Sequence, residues 1–269
     1  MKNAFGKLST GIISAAMAAA IILSAKTSAK AAQQIELNKE YSADLGAGLD
    51  YEYKFKAPDS GSFHIETEFT VSDKENANYC SVRAKFTKDE NEYWNEYIKV
   101  DGKSASSEYS FKPGQELTLK FDCVIYAYSP KKKYDLKFKV VTDNPQNFET
   151  EDNNTASRAN KIKAKKVYKG ILNAEDEDAD WYVFKAPKTG KYRFYVNNTS
   201  NTGRSASFQV YGYKSKKKLD AKNSATLIEG CGNFKSKKIS LKKGKKYYIK
   251  IEKAHPCNAS YDLKIKKVK

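Results

Sequence analysis

The chain repeats itself, and the repeat limits the fold more than any other feature. Tyr53-Lys-Phe-Lys-Ala-Pro-Asp-Ser-Gly-Ser-Phe63 recurs as Tyr182-Val-Phe-Lys-Ala-Pro-Lys-Thr-Gly-Lys-Tyr192, an offset of 129. Phe111-Lys-Pro-Gly114 returns as Leu241-Lys-Lys-Gly244 at 130, and Tyr134-Asp-Leu-Lys-Phe-Lys139 as Tyr261-Asp-Leu-Lys-Ile-Lys266 at 127. Three blocks in one order at a nearly constant offset mark two copies of one unit of about 110 residues. A length of 269 residues accommodates two such units. The expected layout is a first unit over 33–141, a polar, Pro-containing linker over 142–150 and a second unit over 151–269.

Each copy reads as β. Tyr53 and Phe55 alternate with Glu52, Lys54 and Lys56, and Leu117, Leu119 and Phe121 alternate with Thr118, Lys120 and Asp122. A period of two with one apolar face describes half-buried antiparallel strands. The 19 Tyr and 13 Phe suit strands better than helices. Ala-Pro-x-x-Gly at 57–61 and 186–190, Pro113-Gly114 and Lys243-Gly244 supply tight turns. Many short strands with such turns predict an all-β chain of two tandem β-sandwiches, with one short helix over Thr155 to Ala164.

Residues 1–31 read as a secretory leader. Lys2 and Lys7 precede an apolar run from Gly11 to Ala25, too short to span a bilayer comfortably, and Ala29-Lys30-Ala31 offers a small-x-small cleavage pattern. The expectation is an exported chain, released or held at the cell surface without covalent attachment, with no membrane span. Its formal charge of +17 falls to +13 without the four leader lysines.

A further set of residues carries a family resemblance. It comprises Glu149-Thr-Glu-Asp-Asn-Asn154, Ala156 to Ile162, Gly170-Ile-Leu172, Asp178-Ala-Asp-Trp-Tyr-Val-Phe184, Gly190-Lys-Tyr192, Gly244-Lys-Lys-Tyr-Tyr-Ile-Lys-Ile251 and Tyr261-Asp-Leu. With these, residues 149–269 resemble the bacterial pre-peptidase C-terminal domain, found beside secreted peptidases and in clostridial collagenases. The first copy looks like a diverged relative without the acidic entrance. The resemblance implies a jelly-roll-like sandwich acting as an accessory module, in some members a binder of matrix proteins or polysaccharides.

Glu149, Glu151 and Asn153 alternate, so an extended segment presents them on one face. A second acidic run, Glu175 to Asp180, precedes Trp181. Hard oxygens from two segments suit Ca²⁺, which takes six to eight of them. A solvated acidic loop offsetting nearby lysines is the other reading. The resemblance implies Glu149, Glu151, Asn153, Asn154, Glu177 and Asp180 as calcium ligands, with Asn154 and Glu177 standing where relatives carry Asp.

Four cysteines in an exported chain suggest disulfides, and three connectivities are open. One bridge per unit, Cys80–Cys123 and Cys231–Cys257, is the economical pairing; buried thiols are the alternative. The excess charge is almost all Lys, in clusters at 131–133, 161–169, 214–218, 235–238 and 242–246. It fits either loose attraction to an anionic surface polymer or a solubilising surface. Nucleic acid is not expected behind an export leader. Tyr211 and Tyr213 share a strand face and can stack on a sugar or a collagen-like partner, or pack inward. Trp181 and Tyr182 read as core anchors, and Trp94 and Tyr97 fall in a polar, acidic loop.

Catalysis finds little support. His64 and His255 are the two histidines, and no G-x-S-x-G, H-E-x-x-H or Cys–His signature occurs. The expectation is a non-catalytic extracellular binding module that recognises a glycan, wall polymer or matrix protein. An accessory partner of a secreted enzyme is the alternative.

Overall fold

A computed structural model describes residues 22–23, 32–45, 50–72, 80–125, 133–174, 178–200, 207–213, 225–231, 233–253 and 257–269; it gives the backbone alone for 22–23, 124–125, 207 and 225–231. The leader, apart from Ile22–Leu23, lies outside these residues, as do Glu177 and the 214–218 lysines. The described residues are all β. None of them forms a helix long and apolar enough to cross a membrane.

Four sheets form from two stretches of chain. The first sheet orders β1 (Ile22–Leu23), β3 (Glu40–Asp44), β10 (Tyr134–Asp143), β5 (Ser62–Val71) and β8 (Gly102–Ala105). The second orders β2 (Gln33–Gln34), β4 (Asp50–Lys56), β9 (Glu116–Ile125), β6 (Cys80–Lys88) and β7 (Asn91–Lys99). The third runs β12 (Val167–Leu172), β20 (Ala259–Val268), β14 (Gly190–Asn198) and β17 (Asn233–Lys235), with β18 (Ile239–Leu241) also on β14. The fourth runs β11 (Asn160–Ile162), β13 (Ala179–Lys185), β19 (Lys246–Lys253), β15 (Ser207–Tyr213) and β16 (Ala225–Cys231). Without β1, the third sheet repeats the first strand for strand and the fourth repeats the second. Even β18 has its counterpart, an isolated bridge from Phe63 to Tyr109.

The repeated motifs meet in space. Gly114 N donates to Ala57 O at 3.1 Å and Ala57 N to Gln115 O at 2.8 Å; Gly244 N donates to Ala186 O at 2.8 Å and Ala186 N to Lys245 O at 3.2 Å. The turn glycines sit at φ 73° and 77°, in the left-handed region that favours glycine. One repeated block is therefore the hydrogen-bonding partner of another.

Alternating strand residues fill two separate cores. Phe86 in the first lies with its ring centre 5.0–6.0 Å from those of Phe55, Phe63, Tyr93, Tyr109 and Phe111. The second core gathers Tyr182, Phe184, Phe194, Phe208, Ile249, Ile251, Tyr261 and Leu263. Between them, β10 ends at Asp143, and Phe148 bridges to Lys169 of β12. Asn173 then grips the first sandwich: its Oδ1 accepts from Ser110 N at 3.3 Å and its Nδ2 donates to Ser110 O.

Two local expectations are corrected. No helix forms over Thr155 to Ala164. Arg158 N donates to Thr155 O in a turn, and Asn160–Ile162 pairs in parallel with Tyr182–Phe184. A ten-residue helix is marginal by itself, whereas the parallel ladder gives these amides partners and buries Ile162. Trp94 and Tyr97 are not in a loop either; they lie on β7, paired with Phe86 and Arg83 of β6.

Candidate metal centre

The acidic entrance folds onto the second sandwich as an added extended segment. Glu149 N donates to Lys169 O at 2.9 Å, Asn160 Nδ2 donates to Thr150 O at 3.0 Å, and Trp181 N donates to Asn153 O at 3.1 Å. These bonds carry Glu149 and Asn153 inward, where they are 3% and 0% exposed. Asp180 arrives from β13, on the same inward face as Tyr182, and is fully buried. One oxygen each from Glu149, Glu151 and Asp180 lie within 4.8 Å of one another.

Part of this cluster is satisfied by protein donors. Glu149 accepts from Ile171 N at 2.6 Å, Tyr182 Oη at 2.9 Å and Asn153 Nδ2 at 3.1 Å. Tyr261 Oη donates to Asp180 Oδ2 at 2.5 Å and lies 2.7 Å from Tyr182 Oη. The remainder has no partner. Glu151 Oε1, Asn153 Oδ1 and Asp180 Oδ1 are buried oxygens without a hydrogen bond. All three are acceptors, so neither a further carbonyl nor another carboxylate could satisfy them. A cation could.

The electrostatics agree. Burial pushes the Glu149 carboxyl up to about 7, against the pull of its Ile171, Tyr182 and Asn153 donors. Burial, then the charge of Glu149, drives Glu151 and Asp180 well above the ordinary carboxylate range. Burial raises the Tyr182 and Tyr261 phenols in the same way. Several carboxyls in one dry space resist joint ionisation unless a positive charge enters.

The structure thus brings together Glu149, Glu151, Asn153 and Asp180. Glu177 lies outside the described residues. Asn154 sits at the margin: with its nitrogen turned toward them, it donates to Asp178 Oδ1 and Ala179 O, both at 3.2 Å. In that orientation its nitrogen helps to hold Asp178. Four contributors were not picked out in the sequence: Asp178, Tyr182, Tyr261 and the Ile171 amide. Asp178 lies within the acidic run, where the resemblance points to Glu177. Gly170 is also required, because a Cβ there would stand 2.4 Å from Tyr261 Oη and 2.8 Å from Glu149 Oε2. In the first copy, strand register puts Leu45 and Tyr51 where the second has Gly170 and Asp180, and no such cluster forms there among the described residues.

The other candidate residues fall elsewhere. Tyr213 is buried and stacks on Trp181 with ring centres 5.2 Å apart, and Ala156, Ala159 and Tyr211 pack against this outer cluster. A bulge between Val210 and Tyr211 precedes the pair, and Tyr211 Oη donates to Gln209 at 2.7 Å. Cys80 pairs with Ile125 and Cys123 with Val82, so the two cysteines share a face one diagonal step apart. Such Cα atoms are about 7–8 Å apart, beyond the usual disulfide span, and the two sulfurs are not bonded. Burial pushes the Cys123 thiol up to about 12. Cys257 carries no bond in the structure, and the side chain of Cys231 lies outside the described residues.

A polar cleft of about 550 Å³ lies between the sandwiches, bordered by His64, Glu108, Lys169 and Asn258. It reaches the acidic cluster at Gly170 and Tyr261.

No protein-family model matches the chain, and no curated protein does. Among solved structures, the pre-peptidase C-terminal domain of a Bacillus anthracis collagenase is 20% identical over 40% of this chain and 94% of its own, with a TM-score of 0.31. The CUB1-EGF-CUB2 region of human MASP-1/3 is 10% identical over 82% of this chain and 95% of its own, at 0.22. The PBSX exported protein XepA is 10% identical over 83% and 84%, at 0.25. At these scores the likenesses assign neither fold nor function to this chain.

Proposed function

We propose that the chain is an exported, non-catalytic binding module whose second sandwich is completed by a calcium ion. One observation carries the metal: Glu149, Glu151 and Asp180 bring one carboxylate oxygen each within 4.8 Å of one another, and Glu151, Asp180 and the adjoining Asn153 each keep a buried oxygen without a hydrogen bond. Glu149, Glu151, Asn153 and Asp180 would hold the ion, with Asp178 close by. A hard, all-oxygen donor set favours Ca²⁺ over softer ions. When bound, the ion supplies positive charge to compensate the buried carboxylates. Tyr182, Tyr261 and the Ile171 amide keep the remaining carboxylate oxygens oriented. The binding role is supported by the polar cleft beside the cluster and by the excess of lysine over acid on an exported chain.

The test is thermal melting with calcium and with chelator. Millimolar Ca²⁺ should raise the melting temperature of the second sandwich by several degrees, and EDTA should reverse the rise. Asp180→Asn should abolish the response. An unchanged melt at millimolar Ca²⁺ rejects the metal. Screening the same protein on glycan, wall-polymer and collagen arrays, with calcium and with chelator, tests the binding role.

A further inference from the structure

The outer face of the sheet β12–β20–β14–β17 matches that of β3–β10–β5–β8 strand for strand, but its charges do not. In the first sandwich, Lys137 and Lys139 of β10 stand opposite Glu68 and Glu66 of β5. Glu40 of β3 flanks Lys139 from the other side, and Lys103 pairs with Glu68 at 3.3 Å. Cations and acids alternate across the strands, the arrangement that stabilises a solvated sheet face.

The repeated Tyr-Asp-Leu-Lys-x-Lys motif puts Lys264 and Lys266 at the same places on β20. Opposite them on β14 stand Tyr195 and Arg193, where the first copy has its two glutamates. Arg193 therefore faces Lys266 directly, a like-charge pair that costs stability. Lys235 of β17 pairs with Tyr195 from the far side, and Lys191 extends the row on β14. Asp262 is the one acid on this face among the described residues, and Lys169 already holds it at 3.4 Å. The other cations have no ion pair among the described residues; Lys266 Nζ rests 5.3 Å from the centre of the Tyr195 ring.

Outward residues along a strand are about 7 Å apart and neighbouring strands about 5 Å apart, so these side chains form a flat grid. Those distances lie within one screening length at physiological salt, so the repulsion is felt. Lysines on a flat sheet make no fork for a single phosphate. They suit a chain of anions, whose binding releases counterions.

We propose that this face binds a linear extracellular polymer carrying tetrahedral oxyanions, phosphate or sulfate esters, along its length. The proposal rests on the binding-module reading above and names the face and the ligand chemistry. The secreted chain is passed over immobilised polyphosphate, heparin, polyglutamate and neutral dextran. It should be retained on the first two at 150 mM NaCl, with affinity falling steeply as salt rises. The stronger of those two arms identifies the ester. Arg193→Glu with Tyr195→Glu reinstates the first copy's acids. This variant should melt no lower than the parent and bind about tenfold or more weakly. The converse, Glu66→Arg with Glu68→Tyr, should add a second binding face; Lys264→Gln with Lys266→Gln gives a loss test that reverses no charge. Undiminished affinity in the folded loss variants, equal retention on polyglutamate, or no retention on polyphosphate and heparin would each overturn the proposal. In that event, calcium-dependent retention on a neutral glycan or collagen would still leave the binding-module reading standing.

Discussion

At the scale of single residues, the acidic cluster is a set of oxygens held by groups distant in sequence. Tyr261 reaches Glu149 across 112 positions and Asp180 across 81. Because burial raises the Glu149 carboxyl from 4.5 to about 7, the metal-free fold takes up a proton that the unfolded chain has released. That stabilisation is complete below pH 4.5 and is lost as pH rises through 7. Without cation, the second sandwich should therefore melt lower at pH 8 than at pH 5. With Ca²⁺ in place of the proton, the trend should level or invert. Melts across that range with and without EDTA decide it, and a metal-free melting point that climbs with pH would contradict the assignment. Gly170→Ala drives a methyl against Tyr261 and Glu149. It should cost about 1–3 kcal/mol and blunt the calcium response. Glu149, Glu151, Asn153 and Asp180 were legible because they lie in two short acidic runs. Tyr182 and Tyr261 were not, because only the pairing of β20 with β12 and β14 brings the second phenol to the site.

At the scale of elements, strands and turns were the readable part. Period-two alternation sets Phe55, Leu117 and Phe121 inward, and the turn glycines lock Ala57 and Ala186 to the loop before β9 and β19. The sequence is silent where an element gains its state from a neighbour. Asn160–Ile162 is extended because β13 offers a parallel edge, and Tyr213 is covered because Trp181 stands beneath it. The first core is built around an aromatic nest centred on Phe86. Phe86→Ala should cost about 3–5 kcal/mol and unfold the first sandwich selectively. Calorimetry should show one transition moving down while the calcium-responsive one stays; a joint shift would mean that the two cores melt as a unit.

At the scale of the whole molecule, two copies of one topology have come to carry different surfaces and different interiors. They meet at Asn173, whose side chain pairs with both backbone groups of Ser110 as a strand neighbour would. The same residue gives its backbone N–H to Asp178, beside the acidic cluster. Asn173→Ala leaves both cores intact but removes the grip. Small-angle scattering should then show a larger radius of gyration at unchanged melting temperature, and an unchanged radius would show that other contacts suffice. Two hydrogen bonds contribute only about 1 kcal/mol each, too little to unite separate proteins. Their effect here is enlarged because β10 ends at Asp143 and the next sandwich is joined at Phe148, so a short tether keeps the partners at high local concentration. Tether length thus acts as a weak dial on docking: each doubling of the flexible span costs only about 0.6 kcal/mol, and a lengthened linker would loosen the two halves gradually rather than release them at once.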